Sequence, residues 1–316
     1  MESGRGHPTL MMFDNPYIIA ILVYLFGLIA VGVYKSRAIR NSADFMIAGR
    51  SLGWPVLVGT MLATWMGNGS LFGGAGLAYR NGLASLWHNA GAWLGIVLIY
   101  CIARRIRNFG QMTVPDIFET RYNRMAGVLA TIITAIAYLT IVSYQFKGGG
   151  RVLNIITEGA IDVETGIIIT AVFAISYTVL AGMISVVYTD VINGIVMIVG
   201  LLAGLLFMLN AVGGVGEVAA YAESADKAGL FGQWAKEGSE AGAAPVIAVS
   251  FLIPTMLLLL GDSNIYQRMF SARDSGSAKK AVLVLVFGVV LLESAIAVYG
   301  IVGATAADKG LIPDLA

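Results

Sequence analysis

The chain has 316 residues, 58% of them hydrophobic and 12% charged, with a net charge of +1 and a mean hydropathy of +0.80. A water-soluble domain carries about a quarter charged residues, so this chain lacks the polar side chains to cover a water-facing surface, and an all-α integral membrane protein is expected. The near-zero charge suggests no nucleic-acid partner, and the single cysteine, Cys101, excludes an intrachain disulfide.

Residues 1–16 read as a short N-terminal tail, ahead of one membrane domain over 17–316. The tail shows no cleavable signal, and the first apolar run is long enough to stay as a spanning helix. Crossing a bilayer as a helix takes about 20 apolar residues. Such windows fall at 17–34, 54–79, 83–103, 125–147, 165–182, 184–209, 245–261 and 281–304. Backbone groups cannot go unpaired in lipid and no alternating pattern suggests a barrel, so all of these are expected as helices.

The second window carries TWMGNGSLFGGAG (64–76). Two readings stand side by side. Gly69 and Gly73 form a small-xxx-small seam that lets helices approach. Alternatively the helix is broken here, freeing backbone carbonyls to coordinate a cation inside a protein cavity. The sequon Asn68-Gly-Ser70 is unreachable at membrane depth, and no strand precedes the glycines, so a dinucleotide fingerprint fails.

Further along, His88 lies in the third window, where a lone histidine either hydrogen-bonds a neighbouring helix or contacts a solute. QMTVPDIFETRYN (111–123) predicts a short helix at the cytoplasmic face, with Thr113 as N-cap and Pro115 in the first turn. Gln145 and Lys147 are expected to stabilise an interface and a turn at Gly148–Gly150. Asp190 is an ionisable group within the sixth window, which marks it as functional by default. Residues 210–244 predict a longer external segment with a helix lying against the membrane surface.

At the seventh window, the stretch SFLIPTMLLLLGDSNIYQR (250–268) holds Pro254 in its apolar run, then Gly261, Asp262 and Asn264 at its cytoplasmic end, which suggests a second break. The two breaks fall in the first and sixth helices counted from the second window, the spacing of two five-helix halves: 54–209, then 245–304 as the first two helices of the second. Glu293, in the last window, must be protonated, face a cavity or pair across helices. Trp54 and Trp87 read as interfacial anchors.

Orientation follows from charge. Thirteen of the 20 basic residues follow the first, third and seventh windows: Lys35, Arg37, Arg40 and Arg50; Arg104, Arg105, Arg107, Arg121 and Arg124; Arg268, Arg273, Lys279 and Lys280. Positive-inside places loops 35–53, 104–124 and 262–280 in the cytoplasm and the N-terminus outside, in a plasma or inner membrane.

Five stretches resemble the sodium:solute symporter family, the group that contains sodium–proline, sodium–pantothenate and sodium–glucose transporters. ADFMIAGRSLGWP (43–55) is similar to the loop before its first core helix, and TMLATWMGNGSLFGGAGLAYRNG (60–82) to that helix. TVPDIFETRYN (113–123) resembles its cytoplasmic acidic–x–Arg–aromatic segment. LAGMISVVYTDVING (180–194) resembles its GG-x-x-x-V-x-x-TD-x-x-Q stretch, with Ala181 and Asn193 as departures. GDSNIYQRMFSARDSGSAKKA (261–281) resembles its QR-x-x-x-A-x-D loop.

The resemblance implies ten core helices in two inverted repeats behind one extra helix, 17–34, and sodium-driven uptake of a small organic solute by alternating access. It implies backbone carbonyls of Ala63 and Met66 as half of a sodium site, and Asp190 as an acidic residue linked to sodium binding or release. Asn68, Ser70, His88, Asp262 and Asn264 fall near positions that line the solute cavity. The family's next core helix supplies hydroxyl ligands for sodium, and this sequence stops at LIPDLA (311–316) before it, so a fragment is expected.

Three other classes stand beside the symporter. No phosphate-binding loop supports an ATP-driven pump, and two distant histidines with one cysteine make no enzyme cluster. A non-transporting sensor or binding module is an alternative, as is proton coupling while Glu293 is unexplained. No cofactor beyond the coupling ion is implied, and neither the solute nor the oligomeric state is set.

Overall fold

The computed structural model describes residues 16–37, 40–232, 234 and 243–313. Most of the N-terminal tail, part of the external segment and the end of LIPDLA therefore lie outside the described residues. Within them the chain is helical, without a named strand.

In chain order, α1 (Pro16–Ser36) precedes the short α2 (Ser42–Ile47), capped by Asn41. α3 (Trp54–Trp65) starts with Pro55 in its first turn, where a missing N–H costs nothing. It stops at Met66, and a wide turn over Gly69–Gly73 leads into α4 (Gly74–Asn81). α5 (Leu86–Asn108) follows, then α6 (Val114–Arg121), α7 (Arg124–Ile156), α8 (Val163–Ala211), α9 (Val215–Ser224), α10 (Ala243–Leu260), α11 (Ser263–Phe270) and α12 (Ser275–Asp308). Among the described residues, six helical stretches are long and apolar enough to cross a membrane, and two shorter apolar helices, Trp54–Trp65 and Val163–Val179, accompany them.

The expected start of α6 is observed. Thr113 Oγ1 accepts from the Asp116 amide at 3.3 Å and Asp116 Oδ2 accepts from the Thr113 amide at 2.9 Å, a reciprocal box that satisfies two orphan donors. α9 fits the expected helix in the external segment, though its Val218 and Ala222 are buried against protein.

The turn expected at Gly148–Gly150 is absent, because α7 runs unbroken to Ile156. A Cβ on Gly149 would lie 2.5 Å from Thr170 Cγ2, and one on Gly150 would lie 2.7 Å from the Val163 carbonyl. These glycines serve close helix approach, a use the sequence alone does not distinguish from a turn.

By contrast, α8 breaks where the sixth window was expected to begin. Gly182 has φ 59° and ψ 175°, a conformation that a side chain would strain, and the chain folds back there. Tyr177 Oη and Thr189 Oγ1, twelve residues apart, meet at 2.5 Å.

The chain divides into two compact units. One comprises the chain up to Arg50 with Gln111–Thr189, and the other Ser51–Gly110 with Asp190–Ala316. In the first, Ser185 Oγ donates to the Gly32 carbonyl at 2.8 Å, tying α1 to the turn at Gly182.

The second unit is built around α12. Its face of Ala281, Val282, Leu285, Val289, Ile296 and Ala297 is buried. Two sets of ties mark its ends. At one end the Leu52 amide bonds the Ser271 carbonyl (3.1 Å), and Arg107 Nε donates to the Ala272 carbonyl (2.6 Å). At the other, buried Lys227 donates to the Tyr79 carbonyl (2.7 Å) and Trp87 Nε1 to the Leu230 carbonyl (2.9 Å).

Candidate functional site

The break after α3 follows from hydrogen-bond accounting. The Met66 amide makes the last regular bond, to Leu62 (2.9 Å). In a continuing helix the Gly67 amide would bond the carbonyl of Ala63. It bonds that of Trp65 instead, at 2.9 Å, and Ser70 Oγ donates to the same carbonyl at 3.0 Å. The Ala63 carbonyl is thereby released from the helical ladder, and Met66, with ψ 64°, turns its own carbonyl away from the helix direction. Gly69 and Gly73 are both exposed, so they serve this turn rather than a buried seam.

The second break is shorter. Asp262, with φ −71° and ψ 99°, separates α10 from α11 and caps the latter, its Oδ1 accepting from the Asn264 amide at 2.9 Å. Tyr266 Oη donates to the Leu260 carbonyl at 2.8 Å, satisfying a group that the break frees.

Below the first break lies a charged cluster. On the second arm of α8, Gly194 meets the Gly59 carbonyl and Ala63 Cβ of α3, at 3.6 and 3.8 Å from a Cβ built on it. One turn earlier, Asp190 faces the same stretch of α3. Thr60 Oγ1 donates to Asp190 Oδ2 at 2.6 Å, Arg268 Nη2 donates to that oxygen at 3.1 Å, and Arg268 Nε donates to Thr60 Oγ1 at 3.1 Å. Thr60 is fully buried and Arg268 nearly so. The sequence counts Arg268 as a cytoplasmic loop charge; the structure places it in α11, because the second break lets the helix resume.

Glu293 lies on α12, 5% exposed. Trp65 Nε1 donates to its Oε1 at 2.8 Å, and Trp93 Nε1 donates to its Oε2 at 2.7 Å. Asn89 Nδ2 reaches the Glu293 carbonyl at 3.4 Å. Among the described residues no basic side chain pairs with this carboxylate. Of the options open in sequence, it pairs across helices, with α3 and α5.

His88 Nδ1 lies 2.8 Å from Thr255 Oγ1, which also donates to the Phe251 carbonyl at 3.0 Å. With its one proton given to Phe251, Thr255 accepts from His88 Nδ1–H, leaving Nε2 as an acceptor.

Ala63, Met66, Asn68 and Ser70 thus gather at the first break, Asp262 and Asn264 at the second, and Asp190 one turn from Ala63. The partners Thr60, Arg268, Trp65, Trp93 and Thr255 are additions that sequence reading does not supply. A cavity of about 520 Å³ among Ile29, Gly32, Phe173 and Tyr177 is apolar and contains none of the site residues.

A model of the sodium:solute symporter family matches residues 45–313. The sodium/pantothenate symporter of Escherichia coli (strain K12) is 27% identical over 304 residues, covering 94% of this chain and 61% of that protein. The high affinity choline transporter 1 of Homo sapiens is 27% identical over 314 residues, covering 93% and 51%. A solved structure, the substrate-bound outward-open state of a Na+-coupled sialic acid symporter with a novel Na+-site, superposes with a TM-score of 0.80 at 19% identity. It covers 93% of this chain and 62% of its own, a likeness of fold. This chain therefore spans about half to three-fifths of the length of these proteins.

Proposed function

The chain belongs to the sodium:solute symporter family, and on that premise we propose that it takes part in sodium-coupled uptake of a small organic solute by alternating access. The observation that carries this reading is the release of the Ala63 carbonyl at the break, one turn from a half-buried carboxylate on a facing helix. Sodium is a hard cation that needs several oxygens. Broken helices supply them without leaving backbone groups in lipid. The Ala63 and Met66 carbonyls and an Asp190 oxygen are the donors proposed here.

The proposed solute-facing set is Asn68 and Ser70 at the first break, Asp262 and Asn264 at the second, and His88 on α5. Pantothenate, choline and sialic acid, taken from the names of similar proteins, form a first panel of solutes. In the membrane, loops 35–53, 104–124 and 262–280 face the cytoplasm.

The test is accumulation of each labelled solute in proteoliposomes under an inward sodium gradient, with potassium as control. Sodium-driven accumulation of any of them supports the symporter. Saturable sodium binding without accumulation favours a non-transporting binding module. Accumulation driven by protons alone would overturn sodium coupling.

A further inference from the structure

The carboxylate assigned to sodium already holds a cation belonging to the protein. Arg268, whose side chain is 7% exposed, places Nη2 3.1 Å from Asp190 Oδ2. The bonds around it are matched donor to acceptor. Thr60 gives its hydroxyl proton to Asp190, so its lone pair is available to Arg268 Nε, while Nη1 reaches the Asn264 carbonyl at 3.4 Å. Both bonds to the carboxylate fall on Oδ2, and among the described residues none falls on Oδ1.

This arrangement is complete without an ion. A sodium ion arriving at Oδ1 would face a guanidinium on the far side of the same carboxylate, where little water screens the two positive charges. One negative charge cannot hold both at full strength. The guanidinium also hydrogen-bonds α11, the half-helix after the second break, to α3 and α8, beside the packing of its buried Ile265, Met269 and Phe270.

We propose that Arg268 is a tethered competitor of sodium at Asp190: the ion and the guanidinium exclude one another, and sodium binding releases α11 from the Thr60–Asp190 pair. The inference rests on Asp190 being a sodium ligand, as proposed above. Arg268 then sets how tightly sodium binds and ties occupancy of the first break to the position of the second.

The experiment is a sodium titration of the purified chain in detergent, read as thermal stabilisation at constant ionic strength with potassium as the balancing ion. Arg268→Gln should bind sodium about tenfold more tightly, since a like charge leaves the site. Arg268→Lys should stay close to the parent. In Arg268→Ala, added free guanidinium should weaken sodium binding, and in the parent it should not. Unchanged or weaker sodium binding in folded Arg268→Gln, with binding weakened in Asp190→Asn, overturns the competition and leaves the sodium site standing. Parent-like sodium binding in Asp190→Asn overturns both.

A second measurement needs no variant. Sodium, but not potassium, should raise the reactivity of Arg268 toward phenylglyoxal, read by mass spectrometry of the modified peptide. Equal reactivity in the two salts overturns the proposal.

Discussion

At the scale of single residues, Glu293 shows how a donor set selects a side chain with two acceptor oxygens. Both of its partners are indole N–H groups, which donate and cannot accept. Ionised or protonated, a carboxyl keeps a lone pair for each indole, which an amide cannot do. The donors decide what an isosteric replacement does. Glu293→Gln turns an amide N–H₂ against an indole N–H and should cost about 2 kcal/mol, the price of a buried donor left facing a donor. Trp93→Phe should cost about 1–3 kcal/mol by leaving one oxygen without its donor. The double variant should cost less than the two single effects added, because the groups touch. Thermal unfolding in detergent checks this, and a higher melting temperature for Glu293→Gln would contradict it. The sequence marks Glu293 as needing an explanation, since a carboxylate in an apolar helix is costly. It does not reveal the partners, which lie 228 and 200 residues away in the chain.

A second residue-scale prediction concerns Asp274, which caps α12. Hydrogen bonds from the Ser277 amide and hydroxyl, with Arg273 adding to them, hold its carboxyl down at about 2 against an ordinary 3.8. The folded-state value is the lower one, so the cap's contribution is fully present above the ordinary carboxylate range. It is lost as pH falls through that range to about 2. Asp274→Ala should lower the melting temperature at neutral pH, and its gap from the parent should close as pH drops below 4 (the pH range is roughly that of the ordinary carboxylate). A gap independent of pH would show that the carboxylate is not the source of the cap's effect.

At the scale of elements, two G-x-x-x-G pairs, 69–73 and 91–95, look alike in sequence and do different work. Gly-x-x-x-Gly over 69–73 is open in sequence to a seam or a break, and those positions shape the break. The seam between α5 and α10 uses Gly91 and Gly95. A Cβ on Gly91 would lie 2.2 Å from the Leu252 carbonyl oxygen, whereas one on Gly95 would lie 3.0 Å from the Leu259 side chain and 3.1 Å from the Met256 carbonyl oxygen, a far milder overlap. Backbone cannot yield as a leucine tip can. Gly91→Ala should therefore push α5 from α10, disturb the His88–Thr255 bond, and destabilise by about 1–3 kcal/mol. Gly95→Ala should cost less. Comparing the two melting temperatures checks the order, and equal or reversed effects would contradict it. Small-residue spacing in sequence says that a close approach is possible; only the folded partner says where it happens. The broken helices themselves are more legible, because glycine and asparagine at 67–69 and 261–264 contradict the continuous helix that the runs otherwise specify, whereas Pro254 breaks nothing: α10 runs through it.

At the scale of the whole molecule, composition and hydropathy are enough for the fold class, because backbone satisfaction in lipid leaves few alternatives. Sidedness is a separate inference from charge, and the second unit offers an internal consistency check on it. Leu52, Arg107 and the 271–273 loop, which positive-inside reading puts in the cytoplasm, are hydrogen-bonded to one another. Tyr79, Trp87, Lys227 and Leu230, which it puts outside, are bonded to one another in the same way. Alternation along the spans then gives a specific expectation. With the exposed Cys101 replaced by serine, single cysteines at Asp162 and Glu217 should react with a membrane-impermeant thiol reagent on intact cells. Cysteines at Arg121 and Arg273 should react only after permeabilisation. The inverse pattern would reverse the orientation while preserving the crossings. Labelling of Asp162 and Arg121 from the same side would mean that α7 does not cross between them, and would remove the alternation on which both the sidedness and the five-helix spacing of the two breaks depend.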